Sequence, residues 1–168
     1  TEERHIVGAQ EFWRQSMAND DIYKKTYTGL YCVGCESFKT EKDLVDGKCP
    51  DHKTTPETVS EENYFFRLSK FQKPLEVLFK KHLDFVYPES RFNEAKNMLK
   101  KGLEDISISR TKEKLSWGVL VPDDDAQVMY VWFDALTNYI TALGWGSKNN
   151  KLFKKYWPAD AHVIGKEI

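Results

Sequence analysis

Hydrophobic positions recur along the chain at two different periods, and the change of period organises it. In residues 4–18, Ile6, Ala9, Trp13 and Met17 lie three or four apart with Phe12 beside them, while Glu11, Arg14 and Gln15 take the other face. That spacing predicts an amphipathic helix. Asn19-Asp20-Asp21 closes it, and Ile22 to Tyr31 alternates apolar with polar side chains, as a strand does. Glu61 to Leu68 (EENYFFRL) is aromatic and reads as a second strand. Ser69 with Gln72 three residues later is a capping-box signal, and Phe71, Leu75, Leu78 and Phe79 then repeat at helical spacing. Pro74 lies near that start, so it is either an early-turn proline or a cause of delay. Pro88 breaks the run, and Ser90 opens a further helix carrying Phe92, Ala95 and Leu99. Lys100-Lys101-Gly102 ends it with last-turn cations and a C-cap glycine.

From residue 103 the period shortens. Asp105-Ile-Ser-Ile-Ser-Arg110 alternates, and Trp117 to Pro122 is a second short extended run. Val128-Met-Tyr-Val-Trp-Phe133 is continuously apolar, which predicts a strand buried on both faces of a parallel sheet. A helix is expected at Asp134–Leu143, ended by Gly144, and a shorter one around Lys151–Tyr156. Ala161-His-Val-Ile164 reads as another buried strand ending at Gly165. Strand, helix, strand with short connections is a right-handed crossover, so the fold class expected is α/β.

The middle of the chain departs from both periods. Residues 36–60 are polar and turn-rich, with Phe38, Leu44 and Val45 the only larger apolar side chains before Val59. Such a stretch cannot build its own core, the condition under which a metal supplies folding energy. The cysteines supply the ligands. Tyr31-Cys-Val-Gly-Cys35 and Gly47-Lys-Cys-Pro-Asp-His52 give C-x₂-C, thirteen intervening residues, then C-x₂-H, using every cysteine in the chain. Two tight turns facing each other place four donors at the corners of a tetrahedron, which suits a structural Zn²⁺ held by Cys32, Cys35, Cys49 and His52. A redox C-x-x-C, or a disulfide with one thiol left over, leaves the second pair unexplained. With no secretory signal in the sequence, a cytoplasmic protein is expected.

Composition changes the picture little. Net charge is −1 over 168 residues with 30% charged side chains, so there is no overall polyelectrolyte signature for nucleic acid. No apolar run approaches the ~18 residues of a membrane span. Thr1 is not an initiator, and Gly165-Lys-Glu-Ile168 follows directly on a strand-like run, so both ends read as cut from something longer.

Ligands of open α/β sheets collect at the carboxyl ends of parallel strands. Two such ends are predicted, at Trp132-Phe133-Asp134 and at Gly165-Lys166-Glu167, with Arg110 within reach of the same edge. An arginine, a lysine, carboxylates and an aromatic wall suit a zwitterionic or phosphate-bearing ligand. The plainer readings stand beside this one, with Asp134 as a helix N-cap, Trp132 and Tyr139 as core and Lys166 as a solvated cation. No glycine-rich phosphate loop, H-E-x-x-H or G-x-S-x-G motif is present.

Taken together, Ile22-Tyr23, the cysteine pairs, EENYFFRL, Asp105-Ile-Ser-Ile-Ser-Arg-Thr111, Val128-Met-Tyr-Val-Trp-Phe-Asp-Ala135 and His162-Val-Ile-Gly-Lys166 resemble the methionyl-tRNA synthetase family, in family order and over nearly the whole chain. The resemblance implies a partial class I nucleotide-binding, Rossmann-like parallel sheet with an inserted zinc-knuckle connective domain. Residues 1–22 would be a helix leading from the catalytic fold, 23–102 the connective peptide with its knuckle and two helices, and 103–168 a segment of the fold's second half. It implies that Trp132 and Tyr139 wall a methionine pocket, that Arg110 serves amino-acid activation, and that Lys166 and Glu167 stand at the strand end beside the pocket, as a further catalytic group and a substrate contact. The parent would activate L-methionine with ATP, supplied with Mg²⁺, to methionyl-adenylate and transfer it to tRNA(Met). The family's HIGH-like and KMSKS-like segments are absent from these residues, so the isolated chain is expected to be inactive.

Two departures from the family pattern stand out. Glu167 occupies a position where the family usually has Asp, moving the carboxylate by one methylene. His52 is the fourth ligand where some members have Cys, and imidazole is a good Zn²⁺ donor. Two other classes remain open at this level. A sister class I synthetase would share the architecture but not this cysteine spacing beside EENYFFRL. A non-enzymatic zinc-ribbon RNA-binding module would need a basic, aromatic face, but acidic residues intersperse Lys24, Lys25, Lys39, Lys42, Lys48 and Lys53.

Overall fold

The computed structural model describes residues 1–35 and 37–165. Helix α1 (Glu3–Ala18) forms where the apolar stripe predicts, burying Ala9 and Trp13. Strand β1 (Ile22–Cys32) pairs antiparallel with β3 (Glu57–Phe66), from Ile22 opposite Phe66 to Tyr31 opposite Glu57. Strand β2 (Ser37–Lys39) adds to the far end of β1, and β4 (Ile106–Ser107) to the near end of β3, giving the order β2-β1-β3-β4. A second sheet, ordered β5-β7-β6, is built from β5 (Ser109–Thr111), β6 (Leu120–Val121) and β7 (Asp124–Met129). Helix α4 (Val131–Thr141) follows at once and packs against α1. Helices α2 (Gln72–Lys81) and α3 (Glu89–Lys101) form a satellite pair, and α5 (Lys151–Tyr156) is short.

One core joins these parts. Ala9, Trp13, Ile22, Ile108, Val119, Val121, Met129 and Phe133 cluster in it, with Phe12, Tyr64 and Phe66 packed at its rim. Trp13 meets Tyr64 and Phe133 edge-on, at ring-centroid distances of 5.3 and 5.1 Å, an arrangement that the ring quadrupoles favour.

Several expectations are corrected. The mixed α/β character holds, but every strand pairing among the described residues is antiparallel. The apolar run Val128–Phe133 is not one strand. It splits at Tyr130, whose N–H donates to the Ile108 carbonyl at 2.8 Å, and Val131–Phe133 form the first turn of α4. Continuous apolarity does not distinguish a buried strand from a buried helix start. Ala161–Ile164 is not a strand either. No neighbouring strand pairs with it among the described residues, and Val163 is 94% exposed. The capping box at Ser69 does not form. A 3₁₀ turn (Leu68–Phe71) intervenes, and Ser69 Oγ donates instead to Asp105 at 2.6 Å. Pro74 sits at the third position of α2, in the turn where a missing N–H costs nothing. Helix α3 opens at Glu89 with Pro88 as its N-cap residue, one residue earlier than Ser90. No helix among the described residues is long and apolar enough to cross a membrane.

Asp105 ties three segments together. It accepts from Ser69 Oγ, from the Ser69 N–H at 3.1 Å and from the Tyr23 hydroxyl at 2.9 Å. Desolvation pushes its carboxyl up, but the Ser69 and Tyr23 hydrogen bonds and the nearby Arg67 charge outweigh that and hold it below the usual carboxylate range. A depressed folded-state pKa stabilises above the unfolded value of ~3.9 and is lost as pH falls through the folded one. Asp105→Asn is therefore expected to lower unfolding free energy by about 1–2 kcal/mol at pH 7. Urea titrations of the two proteins should show this gap closing below about pH 4.

Candidate functional site

The metal module grows from the far end of the β1–β3 ribbon. Strand β1 delivers Cys32, and a turn at Val33–Cys35 returns the chain into β2. Val45 and Lys48 exchange both backbone hydrogen bonds across Asp46-Gly47, where φ is +51° and +73°. Positive φ at both central residues makes this a type I′ hairpin turn, for which Asp-Gly is a preferred pair. It presents Cys49, whose N–H donates to the Thr54 carbonyl at 2.9 Å while its own carbonyl accepts from Lys53 at 2.8 Å.

The four predicted ligands converge. One donor atom each from Cys32, Cys35, Cys49 and His52 lies within 4.8 Å of the others. Cys35 Sγ is 3.5 Å from Cys49 Sγ, and His52 Nδ1 is 3.2, 3.8 and 3.9 Å from the sulfurs of Cys35, Cys32 and Cys49. A tetrahedron with ~2.3 Å metal–sulfur bonds has edges of about 3.8 Å, so the cage has the size of a first coordination sphere. All three cysteines are free thiols, as coordination requires and as the disulfide reading does not. The His52 backbone N–H aimed at Cys49 lowers that thiol to about 6. Desolvation, with hydrogen bonds to Cys49 and Cys32, pushes Cys35 up to about 11. Crowded sulfurs resist full ionisation, and a divalent cation relieves that resistance.

Gly34 makes room for the imidazole. A Cβ built there would lie 2.5 Å from His52 Cδ2 and 2.6 Å from its Cγ. The C-x-G-C turn therefore needs glycine for close approach.

Of the other predicted residues, Arg110 lies on β5, 9% exposed. Its Nη1 donates to Ser107 Oγ at 2.8 Å and to the Ser109 carbonyl at 2.7 Å, and its guanidinium stacks 4.0 Å from the Tyr130 ring centroid. It lines a cavity of about 340 Å³ with Tyr31, Val33, Lys114 and Tyr130, facing the metal module. Trp132 is in the first turn of α4 and 49% exposed. Tyr139 is seven residues on, so both project from one side of the helix. Its ring meets His162 edge-on at 5.0 Å. Asp134 is not the N-cap; Tyr130 is. Burial pushes the Asp134 carboxyl up, with His5 opposing. Lys166 and Glu167 lie outside the described residues. Sequence reasoning missed Tyr130, Lys114 and His162, because a stacked or bridging side chain leaves no spacing signature.

A profile described as tRNA synthetases class I (M) matches residues 1–55 and 39–168, the whole chain between them. The chain belongs to this family. It is 51% identical over its full length to the methionine–tRNA ligase of Caldanaerobacter subterraneus subsp. tengcongensis and 49% identical to that of Clostridium perfringens. It covers 26% of each, so this class I synthetase segment spans about a quarter of the relatives it matches. Among solved structures it resembles Mycobacterium tuberculosis methionyl-tRNA synthetase bound by methionyl-adenylate, with TM-score 0.84 and 43% identity over 99% of this chain and 34% of that one. The apo form of that protein matches with TM-score 0.83 and 43% identity, over 97% of this chain and 33% of that one. The parallel sheet expected from the resemblance is not formed by the described strands, yet the synthetase likeness extends over nearly all of them.

Gly34→Ala should displace the His52 ring and weaken metal binding by about 10- to 100-fold. Competition with a chromophoric chelator measures it, and circular dichroism of the helices should stay unchanged.

Proposed function

We propose that these residues are part of an enzyme that activates L-methionine with ATP to methionyl-adenylate and transfers it to tRNA(Met). The observation that carries this reading is the similarity to methionine–tRNA ligases along the entire chain. In this reading residues 1–22 lead from the catalytic fold, 23–102 are the connective peptide, and 103–168 belong to the fold's second half. The protein works in the cytoplasm.

Zn²⁺ is the metal that fits the three thiols and one imidazole. Four protein donors leave no open coordination position, so its role is to fold residues 31–53. Activation requires the methionine carboxylate to be held in line with the ATP α-phosphate, which enters as the Mg²⁺ complex. Arg110 supplies positive charge there. Its guanidinium is pinned by Ser107, the Ser109 carbonyl and Tyr130, and a donor fixed beforehand costs no reorganisation as charge develops. Trp132 and Tyr139 receive the side chain of methionine, whose polarisable thioether packs well against aromatic rings. Lys166 and Glu167 are the further catalytic group and substrate contact that the family resemblance implies.

The test uses the full-length protein that carries this segment. Trp132→Ala is expected to raise KM for methionine in pyrophosphate exchange about tenfold or more, roughly the 1–3 kcal/mol of a lost apolar contact. KM for ATP should change less than twofold. Equal losses for both substrates would assign Trp132 to packing instead. Metal analysis of the freshly purified, reduced protein should give one zinc per chain.

A further inference from the structure

Glu61 is a carboxylate whose side chain is only 3% exposed, and Lys114 is the cation that answers it, at 2.8 Å. A buried charge persists only when paired and hydrogen-bonded. The two residues come from different parts of the molecule. Glu61 is on β3, opposite Tyr27 in the ribbon that carries the metal module. Lys114 follows β5, in the turn closed by its own N–H to the Thr111 carbonyl at 3.0 Å. The second Glu61 oxygen faces the Thr111 N–H at 3.4 Å, so one carboxylate grips both the strand end and the turn.

The ammonium has further contacts. Lys114 Nζ lies 4.5 Å from the Tyr31 ring centroid and 5.8 Å from that of Phe38. Tyr31 immediately precedes Cys32, and Phe38 follows Cys35 by three residues. The two rings pack edge-on against each other at 5.2 Å, across the pairing of β1 with β2. One cation therefore rests on the aromatic base of the metal module and on a carboxylate beneath it. It is also four residues from Arg110, with which it lines the same cavity.

We propose that Lys114 is a positioning residue that couples the metal module to the Arg110 strand. With the module folded, Tyr31 and Phe38 hold the ammonium over Glu61, and Glu61 holds the end of β5 in place beside β3. Arg110 is thereby kept at a fixed height relative to the module. When the module loosens, the rings leave the cation, and the Lys114–Glu61 hold on the end of β5 weakens. The coupling is reciprocal, as any linkage between two equilibria must be: disturbing Lys114 should also loosen the module's grip on its metal. The catalytic half of this inference rests on the role proposed above for Arg110; the metal half does not.

The experiment uses the full-length, zinc-loaded protein and two readouts, methionine-dependent pyrophosphate exchange and the rate of zinc release to a chelator. Lys114→Met is expected to lower kcat about tenfold while both KM values stay within twofold, and to speed zinc release several-fold. Lys114→Arg should restore most of both. Because Lys114→Met strands the Glu61 charge, the double variant Glu61→Gln/Lys114→Met removes both charges and guards against simple unfolding. It should still release zinc faster, since the rings have lost their cation. Unchanged zinc release in the double variant, with unchanged kcat, overturns the coupling. If Arg110→Gln abolishes exchange while the Lys114 variants leave both readouts alone, the Arg110 reading stands and the coupling falls. If Arg110→Gln leaves exchange intact, the Arg110 reading falls, and accelerated or unchanged zinc release still decides for or against the coupling.

Discussion

The antiparallel ribbon of β1 and β3 is the constraint on which the rest of the structure depends. Its ten residue pairs, at about 3.4 Å each, span roughly 30 Å. The two ends live in different physical worlds. At one, Ile22 and Phe66 join the core beneath α1 and α4. At the other, Leu30 and Tyr31 meet a segment of turns, a single 3₁₀ turn at Glu41–Asp43 and a three-residue strand. A two-stranded ribbon is marginal by itself. Hydrophobic burial secures the first end, and three thiols with one imidazole are placed to secure the second.

Between those ends the ribbon is fastened by polar groups. Asn63 and Ser109 are fully buried, and Glu61 and Gln127 nearly so. Ser109 Oγ accepts from the Tyr64 N–H and donates to Gln127 Oε1, while Gln127 Nε2 donates to the Glu62 carbonyl. With its amide nitrogen turned inward, Asn63 reaches the Glu62 carbonyl and Glu61 Oε1. Apolar contacts tolerate sliding, but a buried donor displaced by one residue loses its partner at a cost of about 1–3 kcal/mol. The network therefore sets how the second sheet sits against the ribbon, and with it where Arg110 lies.

A similar division appears at Tyr130. Its extended backbone and the hydrogen bond to Ile108 end the strand, and the next residue begins a helix. That bend takes Trp132 off a strand end and puts it on a helix face shared with Tyr139. Meanwhile the Tyr130 ring turns back under Arg110. Trp132, proposed to meet methionine, is thus two residues beyond Tyr130, and Arg110, proposed to meet the phosphate, stacks on the Tyr130 ring.

Much of this was legible in the chain itself. Helix α1, the body of each ribbon strand, the α2 and α3 helices, α5 and the Cys-Cys-Cys-His cluster follow from periods and spacings, which are local properties that backbone geometry imposes directly. The family signature was equally local, since it lies in short runs of side chains in order. What the sequence left undecided was non-local. An apolar run is compatible with strand or helix until partners take its N–H groups, and here they do so only as far as Tyr130, with Val119 accepting from Met129 and Ile108 from Tyr130. Ala161–Ile164 has strand composition and, among the described residues, no strand beside it. Ser69 has a capping sequence, but Asp105, thirty-six residues away, offers its hydroxyl a charged acceptor. Lys114 and Glu61 look like two of many surface charges until folding buries one against the other. Composition sets what each residue is able to do; only the packed structure, by deciding which groups lose water, selects what each one does.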